Sequence, residues 1–168
     1  MSTAVRISHK LVSDARIISK VENRSVTGQI EYWAKIGKIA EENPTMSFQL
    51  IKEILFGLEE LDSGKGIKYH FGWFLMKVIQ SPSFARHIKK FKKSQKEQLD
   101  HQIRLIIENP HVGEEKKGDL KGIFVQKFKL DNLQYLLAYQ FKNDLLELIM
   151  IGPHENYYRD LKGYLKHI

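Results

Sequence analysis

His154, Glu155, Asn156, Tyr157, Tyr158 and Arg159 fill six consecutive positions of the stretch GPHENYYRDLKGYL, Gly152 to Leu165. An imidazole changes charge near neutral pH and can give or take a proton. A guanidinium grips a phosphate with two parallel hydrogen bonds. Phenol rings stack on nucleobases or hydrogen-bond a phosphate. Upstream, IFVQKFKL reads as a strand with Phe124, Gln126, Phe128 and Leu130 on one face. Val125, Lys127 and Lys129 then share the other. Two neighbouring ammonium groups repel mildly, which a wet strand tolerates and a phosphate would relieve; Lys121 adds a third cation nearby. Each residue also has a structural role open to it. His154 could cap a helix, Glu155 could favour that helix's first turn, Arg159 could pair with Glu155, and the tyrosines could pack.

These groups must be held by the second half of the chain, and its punctuation is clear. MKVIQ is a short strand. Ser81 followed by Pro82 is a cap-and-proline helix start, with Phe84, Ile88 and Phe91 on one face. SQKE, Ser94 to Glu97, is a capping-box pattern opening a second helix, with Leu99, Ile103 and Ile106 inward. After the polar loop HVGEEKKGDLKG come three strand-like runs, IFVQKFKL, LQYLLAYQF and LLELIMIG. Asp131-Asn132 and Lys142-Asn143-Asp144 separate them as hairpin turns. A final helix is predicted from near Glu155 to Lys166.

In the first half, TAVRIS alternates as a short strand, with Val5 and Ile7 on one side and Ala4, Arg6 and Ser8 on the other. Helices follow from about His9 to Glu22, from Ser25 to the ENP stop with Val26, Ile30, Trp33 and Gly37 inward, and from Ser47 to Leu61 with Phe48, Ile51, Leu55 and Leu58 on one face. LDSGKGIKYHFG, with three glycines and no period, reads as a linker. The expected organisation is therefore 1–62, a linker 63–75, and 76–168, an α+β chain in two parts. A single strand with two helices cannot close a core. Two copies pairing their strands into an antiparallel ribbon would close one, and such a ribbon fits the DNA major groove. Ala4, Arg6 and Ser8 would then face bases, and the helix start at Ser25 and Val26 would offer N–H groups to a phosphate.

The chain has 168 residues and no cysteine, which excludes disulfides, thiolate catalysis and Cys-based zinc sites. No run approaches a membrane span, and the start lacks a signal-peptide pattern, so a cytoplasmic protein that binds no membrane is expected. The net charge of +7 is uneven. Residues 1–75 hold 10 Lys and Arg against 9 Asp and Glu, and residues 76–168 hold 17 against 11. The basic second half suggests an anionic partner, nucleic acid or an acidic protein segment, with simple solubility as the alternative.

VRISHKLVSDARIISKVENRSVTGQIEYWAKIGK, above all NRSVTGQIEYWAKIG, resembles the ParD-like ribbon-helix-helix antitoxins of bacterial toxin–antitoxin modules. The resemblance implies a homodimer that binds its operator DNA and wraps a toxin. FVQKFKLDNLQYLLAYQF and MIGPHENYYRDLKGYL, within roughly Met76 to Leu165, resemble the RelE/ParE toxin superfamily. That implies two helices over a small antiparallel sheet closed by a C-terminal helix. It also implies cleavage of messenger RNA, usually on the ribosome, without a metal or other cofactor. A second branch of the superfamily poisons DNA gyrase instead. Lys127 and Lys129 match the paired lysines of RelE-type hairpins. His154 falls where many relatives carry an arginine, and Leu136 occupies the place of the expected catalytic arginine.

RNA cleavage needs a base for the 2′-OH proton, an acid for the leaving 5′ oxygen and cations for the charge on phosphorus. His154, Lys127, Lys129 and Tyr157 are the expected catalytic set, with Lys121, Glu155, Asn156, Tyr158 and Arg159 binding RNA. The acidic residues Glu59, Glu60 and Asp62 are expected to lie across the basic groove and restrain it, within one chain or between chains, and tethering would keep that contact occupied. The alternatives are a gyrase-inhibiting toxin and a DNA-binding regulator with an inactive second half. A fusion of two adjacent reading frames, natural or engineered, fits the sequence equally.

Overall fold

The computed structural model of the protein describes residues 3–70 and 76–155. Serine hydroxyls start four of its helices. Ser8 accepts from Leu11 N at 3.3 Å to open α1 (His9–Val21). Ser25 accepts from Gly28 N at 2.9 Å to open α2 (Val26–Glu42), and Ser47 from Leu50 N at 3.2 Å to open α3 (Phe48–Asp62). Ser81 does the same for Phe84 N at 3.0 Å, with Pro82 opening α4 (Pro82–Lys89). Each cap satisfies an N–H the helix cannot, a contribution of about 1 kcal/mol. The fifth helix, α5 (Lys93–Glu108), begins earlier than the Ser94 pattern predicted. Gln95 Oε1 accepts from Lys92 N at 3.0 Å, which shifts the first turn toward the N-terminus.

Two expectations for the first half change. Residues 3–8 form no strand, because a ladder needs a partner and a single chain offers none; Ser8 is instead the cap of α1. The inner faces of α2 and α3 are rotated from the predicted ones. Gly37 is exposed, and Gln29 and Ile39 are the buried residues of α2. Phe48 is 54% exposed, while Leu50, Ile51, Ile54, Gly57 and Leu61 are buried.

The sheet has six strands: β1 (Ile67–Lys68), β2 (Lys77–Gln80), β3 (Glu114–Glu115), β4 (Ile123–Leu130), β5 (Leu133–Lys142) and β6 (Leu145–Pro153), in the order β1-β2-β6-β5-β4-β3. Among the described residues only β2 and β6 pair in parallel. The β4–β5 hairpin turns on Asp131, at φ 53°, and the β5–β6 hairpin on Asn143 and Asp144, at 50° and 60°. Asn and Asp tolerate the left-handed backbone that tight hairpins demand. These turns and all three long strands match the sequence reading. The predicted linker does not remain a linker throughout: β1 lies inside it and adds an edge to β2. Tyr69, just after β1, is buried and donates its hydroxyl to Asp100 Oδ1 at 2.7 Å.

Both faces of the sheet are covered. Phe124, Phe128, Leu137, Tyr139 and Leu148 pack with Phe84, Leu99, Ile103 and Ile106 of α4 and α5. On the other face, Ile123, Val125, Leu136, Ala138 and Ile149 pack with Ile39, Met46, Leu50, Ile51 and Ile54 of the first half. The chain's N-terminal helices thus complete the second half's core. Backbone meets backbone at Gly57, where a Cβ would stand 2.3 Å from the Ile149 carbonyl oxygen. Polar contacts join the two parts elsewhere. Asn43 Oδ1 accepts from Lys117 N at 2.8 Å, and Lys38 meets Asp119 at 2.6 Å. The Glu60 carboxylate accepts from Ser83 N at 2.8 Å and lies 3.4 Å from the Arg86 guanidinium.

Candidate active site

Strand register places the candidate residues. Lys127 pairs with Leu136, and Leu136 with Gly152. Lys127, Leu136 and Gly152 thus share one face of the sheet, and His154 stands one residue past the end of β6. The shared face is that of Ile123 and Val125, covered by the first half. Lys127 and Lys129 are both exposed at its open end, as their alternation predicts. His154 is half-buried and begins a helical turn.

The electrostatics link two of the three. Burial and then the Lys127 ammonium hold His154 below the usual histidine pKa, against an opposing pull from Glu155. A lowered pKa leaves the ring neutral at neutral pH, the form that accepts a proton. Lys127 and His154 are therefore within electrostatic reach of one another. Lys129 is not among the groups acting on His154; it lines a separate cleft of about 500 Å³ with Ser94, Gln98 and His101 of α5. The expected convergence of both lysines on the imidazole is thus drawn for Lys127.

Lys127 opens onto a cleft of about 420 Å³. Its floor is Val125 and Leu136, its sides are Glu114, Lys116 and Gln126, and its roof is Thr45, Met46 and Leu50 from the first half. Lys116 was not singled out by sequence. Its side chain is 6% exposed, yet its ammonium meets Glu114 at 2.9 Å. The signal was weak, since EEKK sits in a loop without period and becomes a strand only by pairing with Val125 and Phe124. Gln126 donates to Gln102 Oε1 at 3.1 Å, while its own Oε1 is buried without a hydrogen-bond partner. Leu136, 1% exposed, confirms that the cleft floor is apolar where an arginine was expected.

The remaining predicted residues are dispersed. Lys121 is exposed at the end of a 3-10 turn, its N–H donating to Gly118 O at 3.0 Å. Glu155 is exposed beside His154. Asn156, Tyr157, Tyr158, Arg159 and the rest of the predicted final helix lie outside the described residues. Ala4, Arg6 and Ser8 are exposed. The Ser25 hydroxyl is committed to Gly28 N, so at the start of α2 only backbone groups remain for an anion. The acidic residues do not cross the cleft. Glu60 is drawn to the first turn of α4, where backbone N–H groups attract a carboxylate, and Asp62 reaches Lys142 at 3.6 Å. The roof over the cleft is the α2–α3 connection instead. Among the described residues no helix is long and apolar enough to cross a membrane.

A two-part fold, with N-terminal helices docked on the sheet of a second part, is what a joined inhibitor and toxin would show. Comparison with protein families bears this out. Residues 2–68 match the ParD-like antitoxin of type II bacterial toxin–antitoxin systems, and residues 78–162 match the ParE-like toxin of such systems. The chain belongs to the type II toxin–antitoxin proteins, with antitoxin and toxin in one polypeptide. No curated protein matches it. The solution structure of a conserved hypothetical protein from Helicobacter pylori aligns with 48% of this chain and 97% of its own, at 22% identity and a TM-score of 0.31.

Proposed function

We propose that the toxin part is a metal-independent endoribonuclease of messenger RNA and that the antitoxin part restrains it. The observation carrying this reading is the neutral-leaning His154 within electrostatic reach of Lys127, which itself lines a cleft that the antitoxin roofs. In the proposed step, His154 takes the 2′-OH proton and the 2′ oxygen bonds to phosphorus. The P–O5′ bond breaks, and the Lys127 ammonium protonates the departing 5′ oxygen. The products are a 2′,3′-cyclic phosphate and a 5′-hydroxyl. Tyr157, Tyr158 and Arg159 hold the flanking nucleotides.

The antitoxin part serves a second purpose in this reading. Its exposed apolar residues Val5 (75% exposed), Leu11, Ile18 and Val21 await a second copy, whose pairing would turn residues 3–8 into a ribbon presenting Arg6 to operator DNA in the cytoplasm. The apolar floor at Leu136 favours a second reading, a toxin that inhibits DNA gyrase without chemistry. Inducible expression of residues 76–168, with RNA ends mapped against the full chain, decides between them. New ends from 76–168 that vanish in His154→Gln and Lys127→Gln support the nuclease. Growth arrest that persists in both variants without new ends refutes it, and equal cleavage by the full chain refutes restraint.

A further inference from the structure

From Ser63 to Lys96 the sequence has no Asp or Glu and nine Lys or Arg. Lys89, Lys90, Lys92 and Lys93 crowd the turn between α4 and α5, and all four are exposed. Among the described residues Lys93 alone of these has an acidic partner, Glu97 at 4.0 Å on a solvent-facing helix turn, a contact of little strength. So dense a ridge of like charge is costly unless an anion lies on it.

The ridge has a route to the cleft. Just past it, Ser94, Glu97, Gln98 and His101 form one wall of the cleft whose other wall is Lys129, Glu97 being the carboxylate that Lys93 faces. That cleft crosses the rim of β4 where β3 has ended, since pairing stops at Val125 among the described residues. Gln102 belongs to this second cleft and holds Gln126, which lines the first. At the junction, Gln126 is 8% exposed and its Oε1 lacks a donor. A phosphate cannot supply a donor; a ribose 2′-OH can, and deoxyribose cannot.

We propose that the α4–α5 turn, the Lys129 cleft and Gln126 form a track for single-stranded RNA leading to the roofed cleft. The proposal rests on the nuclease reading for its direction. Among the described residues the antitoxin roofs the far end and leaves the four lysines exposed, so the intact chain holds RNA on the ridge while its cleft stays closed.

The test is equilibrium binding of a fluorescein-labelled mixed-sequence 16-nucleotide RNA to the full chain across a salt series. The variant K89Q/K90Q/K92Q/K93Q is compared with a charge-matched control, K10Q/K20Q/K35Q/K65Q. All eight lysines are exposed, and circular dichroism confirms folding. The ridge variant is expected to bind at least ~10-fold more weakly at low salt and to lose about 3 units of the log–log salt slope, at about 0.7 per phosphate contact on a single strand. The control is expected to bind as the parent chain does. Equal loss in both sets reduces the effect to net charge and overturns the track. Unchanged binding in the ridge variant overturns it as well. So does displacement of the RNA by duplex DNA that binds the four lysines more tightly. The nuclease reading fails or stands separately, on cleavage by Lys127→Gln.

Discussion

Gly57 gives a sharp test of how the antitoxin is seated. Alanine there would ordinarily help, since Gly in a helix interior costs about 1 kcal/mol relative to Ala. The packing opposes it. The new Cβ would lie 2.3 Å from Ile149 O, 2.9 Å from Ile149 Cγ2 and 3.1 Å from Ile149 C. Two of these atoms belong to the backbone of a central strand, so α3 must yield. Relief requires a shift of roughly 1 Å, which opens gaps around Leu50, Ile51 and Ile54 and forfeits a quarter to a half of each contact there. Overpacking of this kind costs about 1–3 kcal/mol. Gly37 is the internal control, an exposed helical glycine whose Cβ would meet no atom within 4 Å. Gly37→Ala is expected to stabilise by about 0.5–1 kcal/mol and Gly57→Ala to destabilise by about 1–2, the propensity gain being common to both. Urea denaturation of the two variants reads the difference. Hydrogen exchange should accelerate in α3 of Gly57→Ala and not in α5. A Gly57→Ala protein as stable as Gly37→Ala would refute the close seating of α3 on β6.

Three further outcomes follow from contacts at this boundary and at the candidate site. Burial alone would raise the pKa of Glu60, but hydrogen bonds from Ser83 and the charge of Arg86 outweigh it and hold the carboxyl below its ordinary value. Its contribution is thus present above the unfolded pKa and lost as pH falls through the folded one; Glu60→Ala should cost about 2 kcal/mol at pH 7 and flatten the acid limb of the stability profile. Asp100 is raised by burial, with the Tyr69 hydrogen bond and Arg104 opposing. Tyr69→Phe should therefore destabilise by about 1 kcal/mol, and by more above the raised Asp100 pKa than below it, where the carboxyl is protonated and costs less to bury. Lys127→Gln removes a charge that lowers His154, so the imidazole pKa followed by NMR should rise; no movement would dissolve the proposed acid–base pair.

The long strands were legible because alternation and left-handed turn residues are local properties. Lys127 and Lys129 on the face opposite Phe128 needed only a period of two. The stripes of α2 and α3 were misread because each helix carries more than one apolar row. Which row is buried depends on a sheet encoded far downstream: Leu50 beat Phe48 because it meets Leu136, not because its own helix prefers it. Two-residue strands such as β1 and β3 have no period at all and exist through their partners. The same logic hid Lys116, whose place beside the cleft is fixed by pairing. The residues 3–8 show the converse, since their alternation is real but a ladder partner is missing within one chain.

The pairing of β1 with β2 has a consequence for dosage. Where inhibitor and poison are separate molecules, their ratio can drift with synthesis and turnover. Here the edge strand next to the toxin's own first strand comes from the segment that carries the guarding helices, so every sheet is made with one guard beside it. Stoichiometry is written into the polypeptide, and what a cell can still vary is the geometry between the two parts.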